Sequence, residues 1–238
     1  MTKRRYWAVI PAAGSVARMH APVPKQYLML AGKTLIEHAL ERLGNHPWIS
    51  GVVVAISAQD QWWQEVRPSC RAPVMQVTGG SQRCHSVLAG LACLHDTARS
   101  EDWVLVHDAA RPCLPHRDLD LLITELSDHP VGGLLALPVR DTMKRDNGER
   151  TVTATVERAG LWHALTPQMF RYGALREALE AAIARDRIVT DEAQAMELTG
   201  AQPRLVEGSA ENIKITRPQD LALAEFYLCL QQEMPRCA

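Results

Sequence analysis

The chain has 238 residues, 47% hydrophobic and 22% charged, with a formal net charge of -1, a composition suited to one large globular domain with a substantial core. That balance, with a pI near 6.8, argues against a broad nucleic-acid footprint and leaves room for a local cationic pocket. No run approaches the ~20 apolar residues of a membrane helix. The six cysteines lack CxxC pairing and the nine histidines lack ligand spacing, so reduced thiols, a cytoplasmic setting and no structural zinc are expected.

Tyr6 to Ile10 is a short apolar run with a β-branched end, the pattern of a buried strand, and Pro11 marks its exit. Ala12, Ala13 and Gly14 come next; lacking bulk, such a loop can approach a ligand and offer N–H groups to an anion. Arg18 and Lys25 follow in a loop held open by Pro22 and Pro24. These two cations cannot pair with each other and call for a negative group between them, a need that a triphosphate meets. Taken alone, the stretch is equally consistent with turn filler and solvent-facing cations. The three-glycine dinucleotide fingerprint and the lysine-containing P-loop are both absent.

Strand and helix patterns then alternate. Lys33 to Leu43 places Leu35, Ile36, Ala39, Leu40 and Leu43 on one helical face and ends at Gly44 and Pro47. Val52 to Ile56 reads as a strand covered on both faces, and Pro73 to Val77 as a shorter one. Thr78-Gly79-Gly80-Ser81 turns the chain into a helix carrying Val87, Leu88, Leu91 and Leu94. Trp103 to Val106 predicts a strand ending at His107-Asp108, Leu119 to Leu126 a helix, and Leu134 to Val139 a strand. Between about 140 and 160, Asp146-Asn147-Gly148 is a hairpin turn signal ahead of the alternating Thr151 to Val156. A two-stranded hairpin is marginal alone; this one is expected to be an arm reaching a second copy, with an edge hairpin on the same sheet as the alternative.

Tyr172 to Ile183 predicts a helix, and Thr190-Asp191-Glu192 supplies an N-cap and first-turn acids for a helix reaching Leu198. Leu205-Val206 and Ile213-Lys214-Ile215 are predicted short strands. Pro218 is placed as a first helical residue, with Leu221, Ala224, Phe226 and Leu228 packing the closing helix. Lys214 between two isoleucines points either to solvent or into a rim cavity. The expectation is one α/β domain over 1–238, Rossmann-like, with a mostly parallel, helix-covered sheet and a projecting β-hairpin dimerisation arm. Ligands in such folds gather at the carboxyl ends of the strands, where the first loop, Gly79-Gly80-Ser81 and His107 to Arg111 coincide.

The ordered strings IPAAG…RM…PKQY, GG..R..SVLAGL, VLVHDAARP, RDTMKR, GLWHALTPQ, TDEA and EGS.ENIKITRP.DL resemble the 2-C-methyl-D-erythritol 4-phosphate cytidylyltransferase family from Trp7 to about Leu228. The resemblance implies joining CTP to a sugar-alcohol phosphate with release of pyrophosphate, a divalent metal, usually Mg²⁺, and a homodimer with shared sites. By motif, Arg18 and Lys25 would stabilise charge on the α-phosphate, and Ala12, Ala13 and Gly14 would line the nucleotide. Gly80, Ser81 and Ser86 would border cytosine and ribose, with Arg83 nearby. Asp108, Thr142 and Lys214 would hold the second substrate, while Arg158 and Thr166 correspond to residues delivered from a partner's arm. Asp108 either holds polyol hydroxyls or water on the metal, or merely caps the turn into Ala109-Ala110-Arg111.

Two departures from the family pattern stand out. Val16 replaces a second glycine in the opening loop, where a β-branched residue disfavours positive φ, and Ser81 replaces an acid after the paired glycines. The rival readings are a related transferase acting on another polyol phosphate such as ribitol 5-phosphate, a nicotinamide-dependent oxidoreductase, and a nucleotide-binding protein with little catalytic power.

Overall fold

The computed structural model describes residues 4–14 and 23–233. In order, its elements are β1 (Tyr6–Ala12), β2 (Met29–Leu30), β3 (Lys33–Thr34), α1 (Leu35–Gly44), β4 (Ile49–Ile56), β5 (Val74–Thr78), α2 (Arg83–Cys93), β6 (Trp103–Val106) and α3 (His116–Leu126). They continue with β7 (Gly132–Pro138), β8 (Met143–Asp146), β9 (Val152–Val156), β10 (Trp162–Arg171), α4 (Tyr172–Ala184), α5 (Glu192–Glu197), β11 (Arg204–Glu207) and α6 (Asp220–Glu233).

Seven strands form one sheet in the order β11-β7-β10-β6-β1-β4-β5. β6, β1, β4 and β5 run parallel, as do β7 and β11, while β10 lies antiparallel to both of its neighbours. The continuous apolar runs follow from two covered faces. Along β1, Tyr6, Ala8, Ile10 and Ala12 join one core with Ile36 and Leu40 of α1 and Leu119 and Leu122 of α3. Trp7 and Val9 join the opposite core with Val87 and Leu91 of α2 and Leu175 and Leu179 of α4. Each fully buried Leu, Ile or Val among them contributes roughly 1.5–3 kcal/mol relative to exposure. A smaller cluster of Leu30, Leu35, Cys113, Ile215, Ala224 and Leu228 seats α6.

α1 starts where Thr34 and Glu37 close a capping box. Gly90 lets α2 lie flat on β1, since a Cβ there would stand 2.6 Å from Val9. β8 and β9 pair only with each other, as a separate two-stranded sheet, which is the expected hairpin over residues 140–160.

Three expectations need correction. Ile213 to Ile215 is not a strand: it crosses a loop, with Ile215 N–H donating to Ala110 O at 2.8 Å, so its polar groups bond an irregular segment rather than a ladder. Phe226 does not pack the core but is 61% exposed; it lies two residues, about 200° of helix, from the buried Ala224. Pro218 precedes the first residue of α6, Asp220, which itself accepts from the amides of Thr216 and Arg217. β10 is an addition that the hydrophobic pattern did not reveal.

Candidate active site

The carboxyl ends of β1, β4 and β5 reach one rim, as the register Ala12↔Ile56↔Thr78 requires. Antiparallel β10 brings its interior to the same rim, with Gln168 opposite Val106. There a cavity of about 470 Å³ opens, lined by Pro11 to Gly14, Lys25, Gln26, Gly80 to Arg83, Ser86, Asp108 to Ala110, Lys214 and Thr216. The site thus gathers Ala12, Ala13, Gly14, Lys25, Gly80, Ser81, Arg83, Ser86, Asp108 and Lys214 from five separate segments. Arg18 and Val16 lie outside the described residues.

The first wall is a close-approach surface. Gly79 passes so near β1 that a Cβ would stand 2.7 Å from Ala13 Cβ and 2.8 Å from Ser86 Oγ. Gly80 N–H donates to Ser86 Oγ at 3.2 Å, and that hydroxyl in turn bonds Gln82 O at 3.2 Å. Ser86, on α2, therefore anchors the loop as well as lining the cavity, while Ser81 is an exposed part of the lining with its hydroxyl 3.2 Å from His85 Nδ1. Lys25 stands on a single 3₁₀ turn, Lys25–Tyr27. That turn is held by Gln26 donating to Ala12 O at 2.8 Å and by Tyr27 Oη donating to Asp60 at 2.7 Å.

The second wall centres on Asp108. Its Oδ2 accepts from Lys214 Nζ at 2.7 Å, its Oδ1 from Arg83 Nε at 3.1 Å, and Arg111 Nε stands 3.9 Å away. Burial alone would raise this carboxyl; Arg83 first, then Lys214, hold it well below the usual carboxylate range. Lys214 is fixed by its neighbours in sequence, because Arg111 Nη1 donates to Asn212 O at 2.6 Å and Ile215 is tied to Ala110. Lys214 therefore points into the rim cavity, which decides between its two predicted directions.

Behind Asp108 runs a directional hydrogen-bond chain. Asp108 N–H donates to Thr166 Oγ1 at 3.1 Å, and Thr166 Oγ1 lies 3.0 Å from His107 Nδ1. His107 Nε2 lies 3.1 Å from Arg111 O. A carbonyl only accepts, so Nε2 carries the proton, Nδ1 accepts from the threonine hydroxyl, and the imidazole is neutral. Burial pushes His107 down to about 4, in keeping with that assignment. Thr166, expected on a partner's arm, sits 4% exposed on β10 of the same sheet and buttresses its own chain's Asp108. Thr142 and Arg158 are exposed residues flanking the hairpin, outside the cavity lining; Arg158 donates to Arg140 O.

Beside the site, the sequence did not reveal a buried charge, Glu192. Glu192 is 0% exposed and binds Arg83 through two bonds of 2.6 and 3.0 Å. The signal was present in TDEA: a buried glutamate is rare unless paired, but its place in the first turn of α5 suggested only a helix-dipole role. Asp191 supplies the cap there, accepting from Gln194 N–H at 2.9 Å.

Among the described residues no group of three or more His, Cys, Asp or Glu is placed to hold a metal. Asp108 is the one carboxylate among the described residues that line the cavity. Three cations face its roughly four lone-pair sites, so it can offer one further lone pair to a cation whose remaining ligands come from substrate phosphates, as Mg²⁺ commonly does.

Small-residue backbone, two lysines and a restrained carboxylate at the ends of parallel strands define an α/β protein built for phosphorylated ligands. The family model for IspD, 2-C-methyl-D-erythritol 4-phosphate cytidylyltransferase, matches residues 6–230. The protein bearing that name from Vibrio vulnificus (strain YJ016) is 51% identical over 226 residues, 95% of each chain. The one from Pseudomonas putida (strain GB-1) is 55% identical over 217 residues, 91% of this chain and 92% of the relative. Among solved structures, a 4-diphosphocytidyl-2C-methyl-D-erythritol synthase superposes with a TM-score of 0.83 at 39% identity, covering 95% of this chain and 99% of that one. The Francisella tularensis IspD structure gives a TM-score of 0.82 at 34% identity over 94% and 99%. The chain belongs to the 2-C-methyl-D-erythritol 4-phosphate cytidylyltransferase family, and is an enzyme of the nucleotidyltransferase class.

Proposed function

We propose that this chain transfers the cytidylyl group of CTP to 2-C-methyl-D-erythritol 4-phosphate. The observation that carries the reading is the convergence of Lys25 and Lys214 on one cavity, with Lys214 held 2.7 Å from Asp108. An oxygen of the substrate phosphate attacks the α-phosphorus in line; the bond from that phosphorus to the β-phosphate oxygen breaks, and pyrophosphate leaves. The attacking oxygen is already anionic, so no strong base is required. The difficulty is bringing two anions together, which positive side chains in a water-poor site relieve.

Lys25, with Arg18 from the segment outside the described residues, neutralises charge building on the α-phosphate. Backbone at Ala12, Ala13, Gly14 and Gly80 lines the nucleotide, and Ser81 and Ser86 border its base and ribose. Lys214 binds the incoming phosphate, and Asp108, buttressed by Thr166, holds its polyol. A divalent cation, proposed to be Mg²⁺, would be held by Asp108 and the nucleotide phosphates and would neutralise their oxygens. Thr142 and Arg158 serve a second copy's site in a homodimer joined through the hairpin arms. The setting proposed is the cytoplasm; no helix among the described residues is long and apolar enough to cross a membrane.

Mass detection of the CDP-linked product from CTP, methylerythritol phosphate and Mg²⁺ tests the reading. Product with ribitol 5-phosphate but not methylerythritol phosphate would reject the substrate, and CTP binding without any transfer would reject the reaction.

A further inference from the structure

Arg83 lines the nucleotide cavity, where the simplest expectation is a cation facing phosphates. The geometry gives it a different task. Two of its N–H groups meet Glu192 at 2.6 and 3.0 Å, and its Nε meets Asp108 at 3.1 Å. A guanidinium is a rigid plane of donors, so fixing two of them on one carboxylate fixes the direction of the third. Glu192 is in turn held from behind. Asp191 caps α5, and Gln168 of β10 clamps its first turn, donating to Asp191 Oδ2 at 2.9 Å and accepting from Ala193 N–H at 2.7 Å.

We infer that Glu192 is a positioning residue: through Arg83 it sets the Asp108 carboxylate against Lys214, and it does so without touching substrate. Asp108 is then fixed twice by one strand, since Thr166 holds its backbone N–H and Gln168, two residues on, anchors the helix that carries Glu192. The TPQ of β10 and the TDEA of α5 are the two ends of this frame. Glu192 also keeps Arg83 occupied: the Arg83 side chain is 25% exposed, and without its buried partner it would be drawn toward phosphates in the cavity.

The inference rests on the transfer proposed above for its rate measurements. Glu192→Gln is expected to lower kcat about tenfold or more while leaving the CTP dissociation constant unchanged or tighter, since the cavity loses a neighbouring negative charge. A merely structural role would reduce the folded fraction and leave kcat per CTP-binding site intact. Arg83→Lys retains the charge but cannot span both carboxylates, so it should lose a similar factor; full activity in this variant overturns the inference. If Glu192→Gln does not fold, the neutral pair Arg83→Gln/Glu192→Gln leaves no unpaired charge between these two positions. That pair should still turn over slowly; kcat per site within twofold of wild type overturns the inference. Should the wild-type chain fail to transfer from CTP, the proposed reaction falls. The crystal structure of Glu192→Gln then decides this point alone: an unmoved Asp108 carboxylate rejects it, and a displaced one supports it.

Discussion

The wall around Asp108 and the hairpin of β8 and β9 are built on opposite principles. At the wall, the Asp108 carboxylate and backbone N–H meet partners from the same chain, supplied by α2, β10 and the 212–215 segment, and α5 joins them through Arg83. On the hairpin every strand residue except Val156 is exposed, and its ladder is its own. One region is completed by folding a single chain. The other presents side chains for which that chain supplies no cover, as an arm meant for a second copy would. Damage to the wall should therefore register in stability and rate together, and damage to the arm mainly in what two copies do jointly.

The largest effect should come from the cations. Lys25→Ala and Lys214→Ala are each expected to lower turnover ~10²–10³-fold, with CTP affinity reduced far less for Lys25→Ala. Steady-state rates beside calorimetric CTP binding check this, and equal losses in both would remove Lys25 from the transition state. Mixing inactive Arg158→Ala subunits with inactive Lys25→Ala subunits should restore roughly a quarter of wild-type activity, because half of the dimers are mixed and each contains one intact site. No recovery would place Arg158 at its own chain's site, and an active Arg158→Ala variant would place it at none.

The next effect tests the wall by pH. His107 titrates near 4 in the folded chain against about 6.5 when unfolded. The unfolded chain therefore takes up the proton first as pH falls, so stability declines from about pH 6.5 down to pH 4. The loss attributable to this one imidazole is of order 2–3 kcal/mol. Asp108, held low by Arg83 and Lys214 against the effect of burial, adds to it only below about pH 4. Melting temperatures measured across that range should fall less steeply for His107→Gln than for wild type; parallel curves would mean that His107 is not buried neutral. The smallest effect belongs to the arm. Val152, 60% exposed, changed to Asp should alter monomer stability by no more than about 0.5 kcal/mol while weakening self-association, as sedimentation would record. A large loss of monomer stability would erase the contrast between the two regions.

Much of this was legible because it depends on local pattern. Continuous apolar runs marked β1, β4 and β6, small residues or paired glycines marked the exits of β1 and β5, and the loops leaving β1, β5 and β6 meet at the cavity. Lys214 between two isoleucines was visible, although the segment bearing it is a bonded loop and not a strand. What stayed hidden depends on pairing across distance. β10 carries exposed His163 and Ala164 near one end and shifts register between Ala164 and Gln168, so no single period runs through it. Glu192 reads as a first-turn acid until Arg83, 109 positions away, is brought beside it.

The reversed strand inside the sheet has one more implication. If all seven strands ran the same way, the binding edge would be made entirely of loop tips. β10 instead delivers Thr166 and Gln168 to that edge from within a hydrogen-bonded ribbon. Insertions or swaps in the surrounding loops can therefore reshape what enters the cleft, while the backing of Asp108 keeps its place.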